Sequence, residues 1–330
     1  MNRSSILPVA ILSCLWCGML FAANREVEKA RQHGAQGQVT FRVVDSTGTP
    51  VVKAEIRATF PHSDAYGDVE VSKGLTDTNG IYFAAGRAND QLIYDVRKEG
   101  SYKTEGTYRF YRRGENCVKN GRWQPWNPTN VVVLKEKRKP IAMYAKRIDT
   151  PVPVCDAPIG YDLEAGDWVV PYGKGEKTYI FFTYHSEIKD FWTGKKELTI
   201  SCTNRMDGFC RAQKDMWSGL NSAYDAPTDG YQSTVNLILD ATKDRVLKSE
   251  GISESEYLTF RVRTVLDEKG KIIKAQYGKI YGRVEYGAGD KLDRLRFTYY
   301  LNPTDKDRNL EFDPSRNLLQ NIGCMRVYMP

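Results

Sequence analysis

Val39-Thr40-Phe41-Arg42-Val43-Val44-Asp45, Val52-Lys53-Ala54-Glu55-Ile56-Arg57-Ala58 and Asp77-Thr78-Asn79-Gly80-Ile81-Tyr82-Phe83 decide the fold class of this chain. Val39, Phe41 and Val43 are apolar at every second position, and Val52, Ala54, Ile56 and Ala58 repeat the pattern. At that period successive side chains face opposite sides of a sheet, so both segments read as strands. Gly48 and Pro50 between them suit the turn of a hairpin. Asn79-Gly80 suits a tight turn needing positive φ before a third strand starts at Ile81. The reading is the opening of a small β-sandwich.

Outward from this stretch, Leu92–Val96, Thr107–Tyr111 and Asn130–Leu134 supply further strands. The pieces Val39–Asp45, Gly48–Val51, Ala54–Ile56, Thr76–Phe83 and Tyr94–Gly100 resemble, in this order, the carboxypeptidase regulatory-like domain. The resemblance covers residues 38–136 and implies a transthyretin-like, Ig-like sandwich that acts as a non-catalytic accessory module. Residues 106–128 are longer and more aromatic than the family pattern.

Lys135–Pro140 is a charged run ending in proline, and Pro151, Pro153 and Pro158 follow, so residues 137–158 read as a Pro-rich linker. Beyond it, residues 159–330 carry short strands at Asp167–Pro171, Thr178–Tyr184, Glu197–Cys202 and Val235–Asp240. A long hairpin, Tyr257–Leu266 and Lys271–Gly282, turns at Asp267–Gly270, and Leu295–Leu301 adds its partner. Only Ala241–Ser249 has the periodicity of a short helix. The fold class expected is all-β, with two β-sandwiches in tandem, the second a larger antiparallel sandwich or jelly roll.

Met1–Ala23 has one positive charge, Arg3, and an apolar run from Ile6 to Phe21 broken by Pro8, Ser13 and Gly18. It is too short to span a bilayer and reads as a signal peptide, which predicts a periplasmic or extracellular protein. Ile11-Leu12-Ser13-Cys14 is a second, poorer reading, a lipid anchor at Cys14. Residues 24–37 read as a polar tether or short frayed helix. The formal charge of +7 favours anionic partners by long-range attraction, yet no nucleic-acid-binding motif accompanies it. Export permits disulfides, and Cys202 with Cys210, bracketing a turn-rich segment, is the bridge expected among Cys117, Cys155, Cys202, Cys210 and Cys324. No Cys-x-x-Cys pair occurs and the three histidines are scattered, so neither a metal nor a cofactor is expected.

Several local patterns suggest chemistry and fall short of it. Tyr172-Gly173-Lys174-Gly175-Glu176-Lys177 lacks the spacing and following helix of a phosphate loop and reads as a turn. Asp77–Gly80 lacks the acidic twelfth position of a calcium loop, which falls on Ala88. No zinc-peptidase motif occurs, and His185 and Ser186, adjacent on a strand, point to opposite faces. A carboxylate pair needs no local motif, and Glu164, Asp167, Glu187, Asp190, Asp225 and Asp229 form the pool.

Two candidate binding surfaces remain. Tyr108, Arg109, Arg112, Arg113, Trp123 and Trp126 interleave aromatic and basic residues in the 106–128 segment. If the indoles are exposed they form a ligand site, and otherwise they serve packing. Arg261 with Arg263, and Arg294 with Arg296, alternate with apolar residues and would form a basic stripe if their strands were neighbours. The function expected is an exported, non-enzymatic binding or scaffold protein of the cell envelope, recognising a glycan or a protein partner. The alternative is an envelope carbohydrate hydrolase using carboxylates of the second domain.

Overall fold

The computed structural model describes residues 25–62, 68–115, 117–188, 193–241, 247–287 and 293–328. The signal segment, Cys14 and Asp190 lie outside the described residues. The chain divides into two compact units. Unit 1 runs to Glu136 and includes Trp217–Gly219, and unit 2 holds Lys137–Met216 and the residues from Leu220 onward. Both are all-β sandwiches.

Unit 1 contains β1 (Ala35–Asp45), β2 (Glu55–Pro61), β3 (Val69–Leu75), β4 (Ile81–Ala88), β5 (Gln91–Arg97), β6 (Thr104–Arg109), β7 (Val118–Lys119), β8 (Arg122–Trp123) and β9 (Thr129–Leu134). One sheet centres on β1, which pairs antiparallel with β4 on one edge. Its other edge takes the β7–β8 hairpin near its start and β9, running parallel, along Thr40–Asp45. The second sheet has the order β3-β2-β5-β6. Val39, Phe41 and Val43 from β1 meet Ile56, Ala58 and Phe60 from β2 and Leu92 and Val96 from β5, all fully buried. The period-two apolar residues are thus the faces the two sheets bury against each other.

The hairpin expected at Gly48–Pro50 is not formed as such. Asp45 accepts the backbone N–H groups of Thr47 and Thr49 and closes the turn, but pairing stops at the Val44–Pro50 bridge. Lys53, at φ +56°, then turns the chain into the other sheet, so β1 and β2 face each other across the core. Of the two readings of residues 24–37, tether or short helix, the structure has the helix. Residues 25–33 form a helix, here α1, and β1 starts at Ala35. Val27 and Ala30, three apart on one helical face, are buried in the core of unit 1.

Unit 2 contains β10 (Tyr144–Pro151), β11 (Ile159–Asp162), β12 (Asp167–Trp168), β13 (Ile180–Ile188), β14 (Gly194–Ser201), β15 (Gly208–Gln213), β16 (Thr234–Ala241), β17 (Leu247–Glu250), β18 (Glu256–Leu266), β19 (Ile272–Tyr286) and β20 (Arg294–Asn302). Its sheets have the orders β12-β11-β13-β14-β16-β17 and β10-β20-β19-β18-β15. Ile180, Phe182, Leu198 and Ile200 of the first pack on Leu258, Phe260, Ile280 and Phe297 of the second. The second sheet is also covered on its other face, where Met143, Ala145, Tyr300 and Phe312 cluster and Lys279 is fully buried. The Lys279 ammonium donates to Ser222 Oγ at 2.8 Å and to the Leu310 carbonyl at 3.0 Å, with the Tyr300 ring 4.7 Å away.

Three expectations are corrected here. Residues 137–158 are no linker, because β10 pairs along its whole length with β20 and buries Ala145 and Ile148. The helix expected over Ala241–Ser249 is replaced, where described, by the end of β16 and by β17, which pair with each other. Cys202 and Cys210 are free thiols. Cys202 follows the end of β14 and packs against the sandwich core, where burial pushes its thiol up to about 12. Cys210 lies on β15 in the other sheet with its sulfur towards Gly230, and the intervening turn is closed by Asn204 and Asp207. By contrast, the long hairpin turns as expected. Asp267 accepts from the N–H groups of Lys269 and Lys271, and Gly270 takes φ +77°.

Candidate functional site

The β7–β8 hairpin is closed by Asn120 and Gly121, with φ of +52° and +70°, the backbone a two-residue primed turn demands. Pairing of Val118 with Trp123 and of Lys119 with Arg122 sends the first pair inward and the second outward. Trp123 is therefore core. It is fully buried, its Nε1 donates to the Ala88 carbonyl at 2.8 Å, and its ring stacks on Phe110 with centroids 6.0 Å apart. Tyr108 meets Phe110 edge-on at 5.2 Å and is half-buried, which raises its hydroxyl pKa against the opposing Arg112 charge. The indoles thus do not act as an exposed pair.

Trp126 is the exposed indole, at 38% of its surface. The Arg122 guanidinium sits 4.8 Å from the centre of its ring. Lys119, Asn120, Arg122, Gln124 and Trp126 line a groove of about 450 Å³, with no carboxylate among the described residues of its wall. Such a wall offers an aromatic face for stacking, two cations for an anion, and amides that donate and accept for hydroxyls. Of the six residues singled out in the sequence, Trp126 alone lines this groove. Arg109, Arg112 and Arg113 are exposed at and beyond the end of β6 and do not line it. Asn120 and Gln124 were missed, although Asn120-Gly121 is itself a strong hairpin signal.

The basic stripe does not form. β18 and β20 lie on opposite edges of β19, so the two arginine pairs are not on neighbouring strands. Arg261 is buried, donates to the Met206 and Thr228 carbonyls, and stacks on Tyr231 at 4.6 Å. Arg263 takes φ +59° where the β18–β19 register shifts, so it leaves the face of Arg261 and lies over Tyr179. Arg294 and Arg296 share Asp149 at 2.6 and 3.1 Å. Their hydrogen bonds, that of Arg294 foremost, hold the Asp149 carboxyl below its usual range.

The segment Tyr172–Lys177 turns its donors inward. Asp162, itself buried, accepts from Glu164 and Ala165 through Oδ1 and from Glu176 and Lys177 through Oδ2, all at 2.9–3.0 Å. Lys174 N–H goes to Asp167 Oδ2 and Gly175 N–H to the Trp168 carbonyl. A phosphate would meet two carboxylates in place of free amides. Burial raises the Glu164 carboxyl, but hydrogen bonds from Lys177 and Tyr179 outweigh it and leave the pKa lowered. That direction is opposite to what a general acid of a glycosidase requires. Among the described residues no group of three or more His, Cys, Asp or Glu side chains is placed to hold a metal ion.

His185 is exposed and places Nδ1 2.5 Å from Asp156 Oδ1. The carboxylate hydrogen bond holds its pKa above 6.5. A group whose folded value is raised stabilises fully below its unfolded pKa and loses that contribution as pH rises through the folded value. NMR titration is expected to place His185 above the ordinary imidazole value, and Asp156→Asn to lower it. Identical titrations of both proteins would show that the pair does not form in solution.

No family model matches the chain, and no curated protein matches it. Among solved structures, 3-chlorocatechol 1,2-dioxygenase from Rhodococcus opacus 1CP is 12% identical with a TM-score of 0.26, over 32% of this chain and 62% of that one. The shaft pilin SpaA from Lactobacillus rhamnosus GG is 10% identical with a TM-score of 0.21, over 83% and 94%. A putative carbohydrate binding protein from Bacteroides uniformis is 12% identical with a TM-score of 0.17, over 81% and 96%. At these scores the similarities carry no argument about function.

Proposed function

We propose that this protein is an exported, non-enzymatic binding protein of the cell envelope, whose unit 1 is a carboxypeptidase regulatory-like module and binds an anionic saccharide in the Trp126 groove. The observation that carries the reading is the groove wall itself, an exposed indole with Arg122 over its ring, Lys119 and two amides, and no acid among the described residues. A sugar ring presents C–H bonds to an indole, hydroxyls to amides, and a carboxylate to the guanidinium. Export is supported by the pattern of Met1–Ala23, and among the described residues no helix is long and apolar enough to cross a membrane. The hydrolase alternative gains nothing from Glu164 and Asp167, which are engaged in holding the 171–177 loop.

The test is calorimetric titration of the mature protein with short oligogalacturonides and with neutral galacto-oligosaccharides as control. Trp126→Ala is expected to weaken oligogalacturonide binding by about tenfold, the loss of about 1.4 kcal/mol, at unchanged melting temperature. Unchanged affinity in the variant, or equal binding of the neutral sugar, would overturn the reading.

A further inference from the structure

On the other side of the β7–β8 hairpin lies a second groove, of about 370 Å³, bounded by α1 and the start of β1. Lys29, His33, Gln36, Arg87 and Gly121 line it, and Glu26 is the single acid among its described lining residues. The two grooves share one rung of the sheet. Gln36 pairs with Arg122, and its N–H donates to the Gly121 carbonyl at 3.0 Å. The turn Asn120-Gly121 stands between them, with Asn120 in one wall and Gly121 in the other.

The charges on the two sides are alike. Lys29, Lys119 and Arg122 form no ion pair among the described residues, whereas Arg31 beside them on α1 is paired with Glu28. Like charges grouped around one turn raise the local positive potential and favour a ligand bearing several negative charges. Each groove sits at the small end of the size range of ligand sites, so one alone holds a short oligomer. Together they call for a chain.

We infer that the ligand is a linear polyanionic saccharide that crosses the Asn120–Gly121 tip and engages both grooves. This rests on the ligand-site reading of the Trp126 groove. Two linked contacts make the second one intramolecular, so affinity rises steeply once the ligand is long enough to span both. A chain confined to one groove gains nothing from added length beyond statistical repetition.

The experiment titrates wild-type protein, Trp126→Ala and Lys29→Gln/His33→Gln with galacturonate trimer and dodecamer at low and high salt. The dodecamer is expected to bind wild type at least about a hundredfold more tightly than the trimer, where its overlapping trimer registers alone would give about tenfold, and to show the steeper salt dependence. The double variant should keep trimer affinity and lose the gain from length. A wild-type dodecamer no tighter than repetition predicts, or one bound unchanged by the double variant, would overturn the inference while leaving the Trp126 site standing. Failure of Trp126→Ala to weaken either oligomer, or no binding at any length, would overturn the site reading and the inference with it. Single-stranded DNA of equal charge binding as tightly as the dodecamer would overturn the saccharide assignment.

Discussion

Trp123→Ala is expected to destabilise unit 1 by about 3–5 kcal/mol, the range for truncating a large aromatic in a close-packed core. Trp123 is fully buried and stacks on Phe110. Truncation opens a cavity between Phe110 and Val118 and strips the Ala88 carbonyl of its indole donor. The measurement is the denaturant midpoint of the transition that carries unit 1. Trp126→Ala, three residues on, should move the same midpoint by less than about 0.5 kcal/mol, as an exposed substitution does. Equal effects of the two variants would mean that Trp123 is not the core residue described above.

The second large effect lies in unit 2. Asp162→Ala removes the acceptor of four backbone N–H groups, those of Glu164, Ala165, Glu176 and Lys177. A donor left unpaired costs about 1–3 kcal/mol where water cannot reach it; these four bonds are part-buried, so a total of about 3–5 kcal/mol allows for rehydration at the loop surface. Hydrogen exchange at the Glu176 and Lys177 amides should accelerate before the rest of unit 2 is affected. Asp162→Asn, which keeps one acceptor oxygen, should fall between wild type and alanine. Loss of less than about 1 kcal/mol in the alanine variant would show that the loop does not depend on the carboxylate.

What was legible in the sequence was the alternation, and what was not was the choice of partner. Val39, Phe41, Val43, Ile56 and Ala58 announce strands with a buried face through their period alone. Nothing local in Gly48–Pro50 signals that Lys53 will take positive φ and send β2 to the opposite sheet. β7 and β8 have two residues each, too few to display a period, so the opposite fates of Trp123 and Trp126 could not be read from spacing. Arg261 failed for another reason. Alternation by itself implies one buried and one solvated face, but Tyr257–Val262 is buried on both, and the arginine is accommodated by carbonyls. Cys202 and Cys210 are close in sequence, yet the turn between them carries the chain from one sheet to the other. For the candidate site, the basic and aromatic composition of residues 106–128 singles out the segment that holds the Trp126 groove, while the groove's polar members came only with the turn geometry.

The doubly covered sheet of unit 2 sets a timetable for its assembly. Its first residues are held by its last: Arg138 and Lys139 donate to the Glu311 carboxylate, and Ala145 is bonded in both directions to Asn317. A chain emerging from its N-terminal end must therefore make 173 further residues after Arg138 before that contact exists. Until then Met143 and Tyr300 lack Phe312 as a cover, and the Lys279 ammonium lacks the Leu310 carbonyl. A chain cut short before Phe312 is left with that apolar face open, the kind of surface that makes an incomplete fold prone to aggregate.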